Sequence, residues 1–294
     1  MRQIRTTAIA AQARACATSV AAWASSNVRQ FVITTLCLLI TGSIWAQCGV
    51  ENTAFQAGEN ISYELYFNWG ILAKKVGTAS FRVSSTTYDS KPAYRMELLA
   101  NTNSLADSFF KMRDTLTSIV SQRMEPLYYR KGAEEESRYT VEEARYSYNG
   151  GTASVKQSRY KRGSGTIYSE KTDSRCIFDM VSIMGWARSL NTSNLKAGQR
   201  FDFPLASGKQ VEEGTLIYKG TKNLDAKDGH TYRTLIYTYI THRDGKDSEI
   251  ITFYVSDDSN HLPLRLDLSL KFGTARVQFK SVSGNRYPLT SRIK

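Results

Sequence analysis

The sequence predicts an all-β protein: curved antiparallel sheets resembling an open barrel or half-barrel, with one short buried helix. Two observations carry that expectation. Apolar and polar residues alternate with a period of two through most of the chain beyond residue 47, and helical periodicity is strong in one stretch alone. The seventeen tyrosines agree with it, because a ring with a polar tip suits a strand that is half buried.

The alternation can be read run by run. Ile61, Tyr63, Leu65 and Phe67 alternate with Ser62, Glu64, Tyr66 and Asn68. Ala79, Phe81 and Val83 alternate with Ser80, Arg82 and Ser84, and Ile251, Phe253 and Val255 with Thr252, Tyr254 and Ser256. From Leu262 to Lys271, five leucines share one parity, and Ala275, Val277 and Phe279 follow beyond a turn at Phe272-Gly273. Successive side chains of a strand point to opposite faces, so each run has one dry and one wet side. Antiparallel sheets show this pattern, whereas parallel sheets covered on both faces do not.

Residues 179–190 break the rhythm. Met180, Ile183, Met184, Ala187 and Leu190 fall at helical spacing, with Asp179 placed to cap the first turn. Val181 and Trp186 widen the apolar face, so this helix is expected to be mostly buried against the sheet. Residues 104–110 suggest a second, shorter helical turn.

The chain also echoes itself. Ala57-Gly58-Glu59-Asn60 resembles Ala197-Gly198-Gln199-Arg200, Gly77-Thr78 returns as Gly214-Thr215, Tyr94-Arg95 as Tyr232-Arg233, and Pro126-Leu127 as Pro263-Leu264. Near-constant offsets point to two similar β-units, 57–175 and 191–283, joined by the helix. Recurrence of common pairs in a tyrosine-rich β-protein is the alternative.

The first 46 residues have another composition. They hold Arg2, Arg5, Arg14 and Arg29, no acidic residue, an apolar run from Phe31 to Ile40, and Ala46 at the exit. These are the parts of a secretory signal peptide, and the run is shorter than the roughly 20 residues of a membrane span. Residues 1–27 are long for such a leader, and Val28 is a plausible alternative start. Cleavage after Ala46 or Gln47 leaves 35 basic against 27 acidic residues, a charge of about +8. It also leaves Cys48 and Cys176, which an oxidising compartment would allow to pair. No transmembrane segment is expected in the processed protein, residues 47–294.

The order of several short marks resembles a bacterial family catalogued as domain of unknown function 3108. They are Phe55-Gln56-Ala57-Gly58-Glu59-Asn60-Ile61-Ser62-Tyr63, Val76-Gly77-Thr78-Ala79, Arg113-Asp114, Met124-Glu125-Pro126-Leu127-Tyr128, Phe178-Asp179-Met180-Val181-Ser182 with Arg188, Val255-Ser256-Asp257-Asp258, and Leu262-Pro263-Leu264-Arg265. The family's aromatic before the late aspartates stands slightly displaced here, as Tyr254. The resemblance implies an exported β-rich envelope protein and supplies no catalytic residues. The sheet-plus-helix pattern is also similar to that of periplasmic lipoprotein carriers, a likeness of fold that does not fix function.

Chemistry-bearing motifs are sparse. The three histidines, His230, His242 and His261, lie in or beside turns, without the convergent spacing of a metal or catalytic site. Asp257 to His261 is rich in oxygen ligands, but a turn between two strands asks for the same residues. No metal site, catalytic residue or cofactor is expected. The basic stretch from Lys156 to Arg175 reads as a solvated hairpin, with Glu134 to Glu136 and Glu142-Glu143 placed to pair with it; contact with an anionic lipid or glycan is the alternative, and an exported protein rarely meets nucleic acid. Trp69, Trp186, Tyr63 and Phe67 are the candidates for lining a ligand site, with core packing as the competing role.

The functional expectation is an exported, periplasmic envelope protein that binds or carries a lipid or other apolar envelope molecule, with the cell surface or outer membrane as further locations. Two other readings stand beside it: an assembly factor binding an envelope protein, and a hydrolase of envelope glycans. The hydrolase needs two carboxylates about 5 to 9.5 Å apart; Glu59, Asp114, Asp179 and Asp257 are the residues to inspect.

Overall fold

The computed structural model describes residues 49–69, 72–243, 246–270 and 273–294. The expected leader, its cleavage point and Cys48 lie outside the described residues, as do residues 70–71, 244–245 and 271–272.

Eight strands come first: β1 (Asn60–Trp69), β2 (Leu72–Tyr88), β3 (Lys91–Thr102), β4 (Met112–Ser121), β5 (Pro126–Glu135), β6 (Arg138–Asn149), β7 (Thr152–Lys161) and β8 (Gly165–Asp173). Helix α1 (Ser104–Asp107) interrupts the β3–β4 connection, and α2 (Ser182–Arg188) lies in the long connection after β8. Six strands follow: β9 (Arg200–Ala206), β10 (Val211–Asp225), β11 (Thr231–Arg243), β12 (Lys246–Ser256), β13 (Pro263–Leu270) and β14 (Gly273–Ser283). Among the described residues these make one fourteen-stranded sheet. Each run is an antiparallel meander, and β1 joins them by pairing with β14.

The sheet curls until its ends meet through connecting segments. Phe178 pairs with β9, donating from its N–H to Pro204 O at 2.9 Å and accepting from Ala206 N–H at 2.8 Å. In the β9–β10 turn, Gly208 N–H donates to the Gln157 side chain of β7 at 2.9 Å. The all-β, barrel-like architecture read from the alternation is therefore the one found.

Because neighbouring strands alternate in direction, connections collect at two ends. One end, the floor, receives residues 49–59, the connection carrying α2, the 257–262 loop and the C-terminal residues. The other end, the rim, carries α1 and the β5–β6, β7–β8 and β9–β10 turns. Burial along the dry face falls from floor to rim. Leu262 and Leu264 are 0% and 1% exposed, Leu266 and Leu268 are half-buried, and Leu270 is 49% exposed. Strand β1 repeats this: Ile61, Tyr63 and Leu65 are buried, and Phe67 is half-buried.

The helix is shorter than the 179–190 expected and its face is differently used. Asp179 does organise the first turn, accepting from Val181 N–H and Ser182 N–H at 2.9 and 2.8 Å. Met180, placed on the apolar face by periodicity, is 47% exposed, because it precedes the helical turns in a segment still bent by that Asp179 hydrogen bonding. Val181 and Gly185 are buried, while Ile183, Met184 and Trp186 are half-buried. The shorter turn expected at 104–110 forms over Ser104–Asp107, capped by the Asn103 side chain, which accepts from Ala106 N–H at 3.0 Å.

The sequence echoes fall at matching places in the two runs. Gly58 N–H donates to Val83 O and Gly198 N–H to Tyr218 O, each glycine at positive φ just before the first strand of its run. Pro126 opens β5 opposite Val120, and Pro263 opens β13 opposite Val255, each beside a register shift.

Candidate functional site

At the floor, polar side chains far apart in sequence are buried together. The Arg188 guanidinium donates to both carboxylate oxygens of Glu59, at 2.6 and 2.9 Å, and also to Asn260 O at 3.2 and 3.0 Å. Both side chains of the pair are at most 3% exposed, and the Phe55 ring lies 5.1 Å from the guanidinium carbon. The Asp258 carboxylate accepts from Ser256 Oγ, Asn260 N–H, Ser291 N–H and Ser291 Oγ. Asp258 thus ties the C-terminal residues to the floor. Among the described residues, no group of three His, Cys, Asp or Glu side chains is arranged to hold a metal ion.

Above it the dry face opens. Cross-strand neighbours form a transverse row, Phe67–Ala275–Leu268–Ile251–Tyr239, continuous over β1, β14, β13, β12 and β11. A second row below it runs Leu65–Val277–Leu266–Phe253–Tyr237. All five residues of the upper row are half-buried. The wall is apolar, yet among the described residues no second layer covers it near the rim. On the β3–β4 connection at the same end, Leu105, Phe109 and Phe110 are exposed by 58%, 84% and 41%.

The inward face of β4 to β7 differs in chemistry. A row of partners there reads Leu116–Lys131–Glu142–Arg159, with Asp114 one step nearer the rim. Arg159 Nε lies 3.2 Å from Glu142, and Lys131 Nζ lies 4.0 Å from Asp114. Burial raises the Asp114 carboxyl to about 6, opposed by Lys131, and burial also raises Glu142.

The four sequence-predicted lining residues are not brought to one place. Tyr63 is buried at the floor, where desolvation pushes its hydroxyl far above the usual range. Phe67 stands four residues nearer the rim and belongs to the upper apolar row. Trp186 packs on Phe178, Phe201 and Phe203, with ring centroids 5.3 to 6.3 Å away. It borders a separate opening of about 180 Å³ that Gly49 and the buried Cys176 also line. The side chain of Trp69 lies outside the described residues.

The four carboxylates singled out for hydrolysis are dispersed in role. Glu59 is locked to Arg188, Asp179 accepts from the α2 turn and from Ser118 Oγ at 3.0 Å, and Asp257 faces Arg233 at 3.5 Å. Only Asp114 stands on the inner wall of the open half.

Sequence reading missed one constellation on the outer face. His242 Nδ1 lies 2.6 Å from Asp247, and its Nε2 lies 2.9 Å from Thr215 Oγ1. A hydroxyl, an imidazole and a carboxylate in that order are the parts of a nucleophilic triad. Thr215, however, is 0% exposed and its hydroxyl donates to Asp202, so no substrate atom can approach it. The chain of contacts ties β9 to β12. The four residues span 46 positions, and only strand register brings them together.

The comparisons place this geometry. A family model described as "Protein of unknown function (DUF3108)" matches residues 62–280. The chain belongs to that family. A search of curated proteins returned no match. Among solved structures, a β-barrel-like protein of domain of unknown function DUF1849 from Brucella abortus resembles it with a TM-score of 0.52. That structure is 10% identical, and the likeness covers 78% of this chain and 99% of that one. At this identity the two share a fold.

In this DUF3108 chain, several of the marks that carried the resemblance gather at the floor, while Val76–Ala79 and Arg113-Asp114 lie nearer the rim, Arg113 pairing with Asp107 of α1. Glu59 and Arg188 are the buried pair, Asp179 sets the α2 turn, and Asp258 anchors the C-terminal residues.

Proposed function

We propose that this DUF3108 protein is exported to the bacterial envelope and binds an apolar or amphiphilic envelope molecule in the open half of its barrel. One observation carries the reading: the leucines of β13 share a face yet pass from fully buried at the floor to 49% exposed at the rim. Large apolar side chains left half-covered across five adjacent strands need a partner surface, since each buried methylene is worth about 0.8 kcal/mol. The opening beside Trp186, at about 180 Å³, falls below the roughly 300 Å³ at which small-molecule sites begin, so the wall above the floor is the better site. Export rests on the composition of residues 1–46.

The test uses protein processed and purified from its native host. Organic extraction followed by mass spectrometry is expected to release a stoichiometric apolar molecule, and the emptied protein to take up an apolar fluorescent dye. Protein that carries no lipid and takes up no dye contradicts the proposal.

A second reading draws on β8, which pairs with β7 on one side and has no strand partner on the other among the described residues. Tyr168 and Ile167 on it are 81% and 50% exposed. Such an edge can add a strand from another envelope protein. Stoichiometric capture of one protein from native membranes, lost on replacing Ile167 by proline, would favour this reading over the carrier.

A further inference from the structure

The two walls of the open half differ in a way that bears on which molecule fits between them. One wall, from β11 through β14 to β1, is apolar. The other carries Asp114, Lys131, Glu142 and Arg159, whose side chains keep 12%, 19%, 11% and 32% of their surface open. These four are formally neutral as a set. Arg159 and Glu142 satisfy each other at 3.2 Å, whereas Lys131 and Asp114 stand 4.0 Å apart, beyond hydrogen-bond length.

Polar atoms below and within the patch lack partners. Among the described residues, Asp114 Oδ1 and the hydroxyls of Tyr129 and Tyr146 are buried without a hydrogen-bond partner, and the two tyrosines are only 2% and 8% exposed. Tyr129 belongs to the patch: Asp179, Glu142 and Asp114 all act electrostatically on its hydroxyl. Buried polar groups in folded proteins are nearly always hydrogen-bonded, and of the five orphans among the described residues these three share the inner face of β4 to β6, the other two, Asn60 Oδ1 and the Tyr63 hydroxyl, lying at the floor.

The unused capacity is mixed. Tyr129 and Tyr146 can each donate one hydrogen bond, Lys131 can donate, and Asp114 Oδ1 can accept. An anionic group would meet Asp114 and Glu142, and a cationic one would meet Lys131 and Arg159. A neutral hydroxyl both donates and accepts, and so answers the whole set without leaving a charge unpaired.

We infer that Asp114, Lys131, Tyr129 and Tyr146 form a subsite for a neutral, hydroxyl-bearing headgroup of the glycosyl or polyol class. The apolar part of the same molecule lies on the Phe67–Tyr239 row opposite. This inference rests on the binding function proposed above and assigns its ligand a chemical class.

Three probes with one ten-carbon chain separate the headgroups: decyl maltoside, decyl sulfate and decyl phosphocholine, titrated calorimetrically below their micellar concentrations into the processed protein. An apolar dye serves as the fourth probe. Decyl maltoside is expected to bind at least tenfold more tightly than the other two amphiphiles. Tyr129→Phe and Asp114→Asn, both nearly isosteric, are each expected to weaken maltoside binding about fivefold and to leave dye affinity unchanged. Thermal melts verify that each variant is folded, and Tyr129→Phe alone suffices if Asp114→Asn fails to fold. Equal affinity for the three headgroups, or an unchanged maltoside affinity in the folded variants, overturns the subsite while leaving the binding function intact. Failure of all four probes to bind overturns both.

Discussion

At the scale of one side chain, the buried Glu59–Arg188 pair is costly to disturb. Two charges taken out of water are tolerated because the guanidinium also donates to Asn260 O and both carboxylate oxygens are engaged. Replacing Arg188→Met would leave a buried carboxylate without its counter-ion. Urea denaturation is expected to show a loss of about 3–5 kcal/mol. The double variant Glu59→Gln with Arg188→Met should be less destabilised than Arg188→Met alone. Asp114 behaves in the opposite sense. Its folded pKa, about 6, lies above its ordinary 3.8, so the folded state binds its proton more tightly. The contribution to stability is then present at low pH and is lost as pH rises from about 4 to 6. Asp114→Asn should abolish that part of the profile and be more stable than the parent at pH 7.5, by about 1 kcal/mol. Thermal melts of both proteins across pH 4 to 8 measure the difference.

Among the elements, the strands were the most legible in sequence, because alternation needs only a local pattern and a dry face. Leu262 to Leu270 announced both the strand and its buried parity. The extent of α2 was less legible. Helical spacing from Met180 to Leu190 was real, but Asp179 bends the chain there, and the residues of the helix share out between two packed clusters. The polar wall of β4 to β7 was hidden for a different reason. Lys131, Glu142 and Arg159 look like solvent-facing charges in a sequence, and only closure of the sheet turns them inward. Glu142 does pair with the basic hairpin through Arg159, as its charge suggested. The glycine of Val76-Gly77-Thr78 has its own explanation in the sheet. A Cβ at Gly77 would stand 2.1 Å from Asn101 O and 2.9 Å from Thr102 Cα on β3, where backbone cannot give way. Gly77→Ala is accordingly expected to cost more than about 2 kcal/mol in urea denaturation. A variant as stable as the parent would show that β2 and β3 do not approach so closely.

Across the whole molecule, the floor and the rim divide the work. The floor buries ionic and aromatic groups drawn from both ends of the described chain, and its contacts are those of a closed structure. None of these long-range partners could be paired from sequence alone: Glu59 and Arg188 stand 129 residues apart, and the family resemblance marked them without giving their role. The Gly58 and Gly198 hydrogen bonds match in place, each just before the first strand of its run. At the rim, half-covered apolar residues face a polar wall across the curve of one sheet. The described helices include none long and apolar enough to cross a membrane. The exposed Phe109 and Phe110 stand beside the opening, at the end where a ligand would enter.

The central claim is that the half-covered row of Ile251 and Leu268 is a binding surface rather than loosely packed core. Dye titration of Ile251→Asp against the parent protein tests it most directly, with a thermal melt of each. The account predicts that dye affinity falls by tenfold or more while the melting temperature changes little, since the residue is half-buried and above the packed floor. Unchanged dye binding, or a collapse of the melting temperature like that of a core substitution, would contradict it.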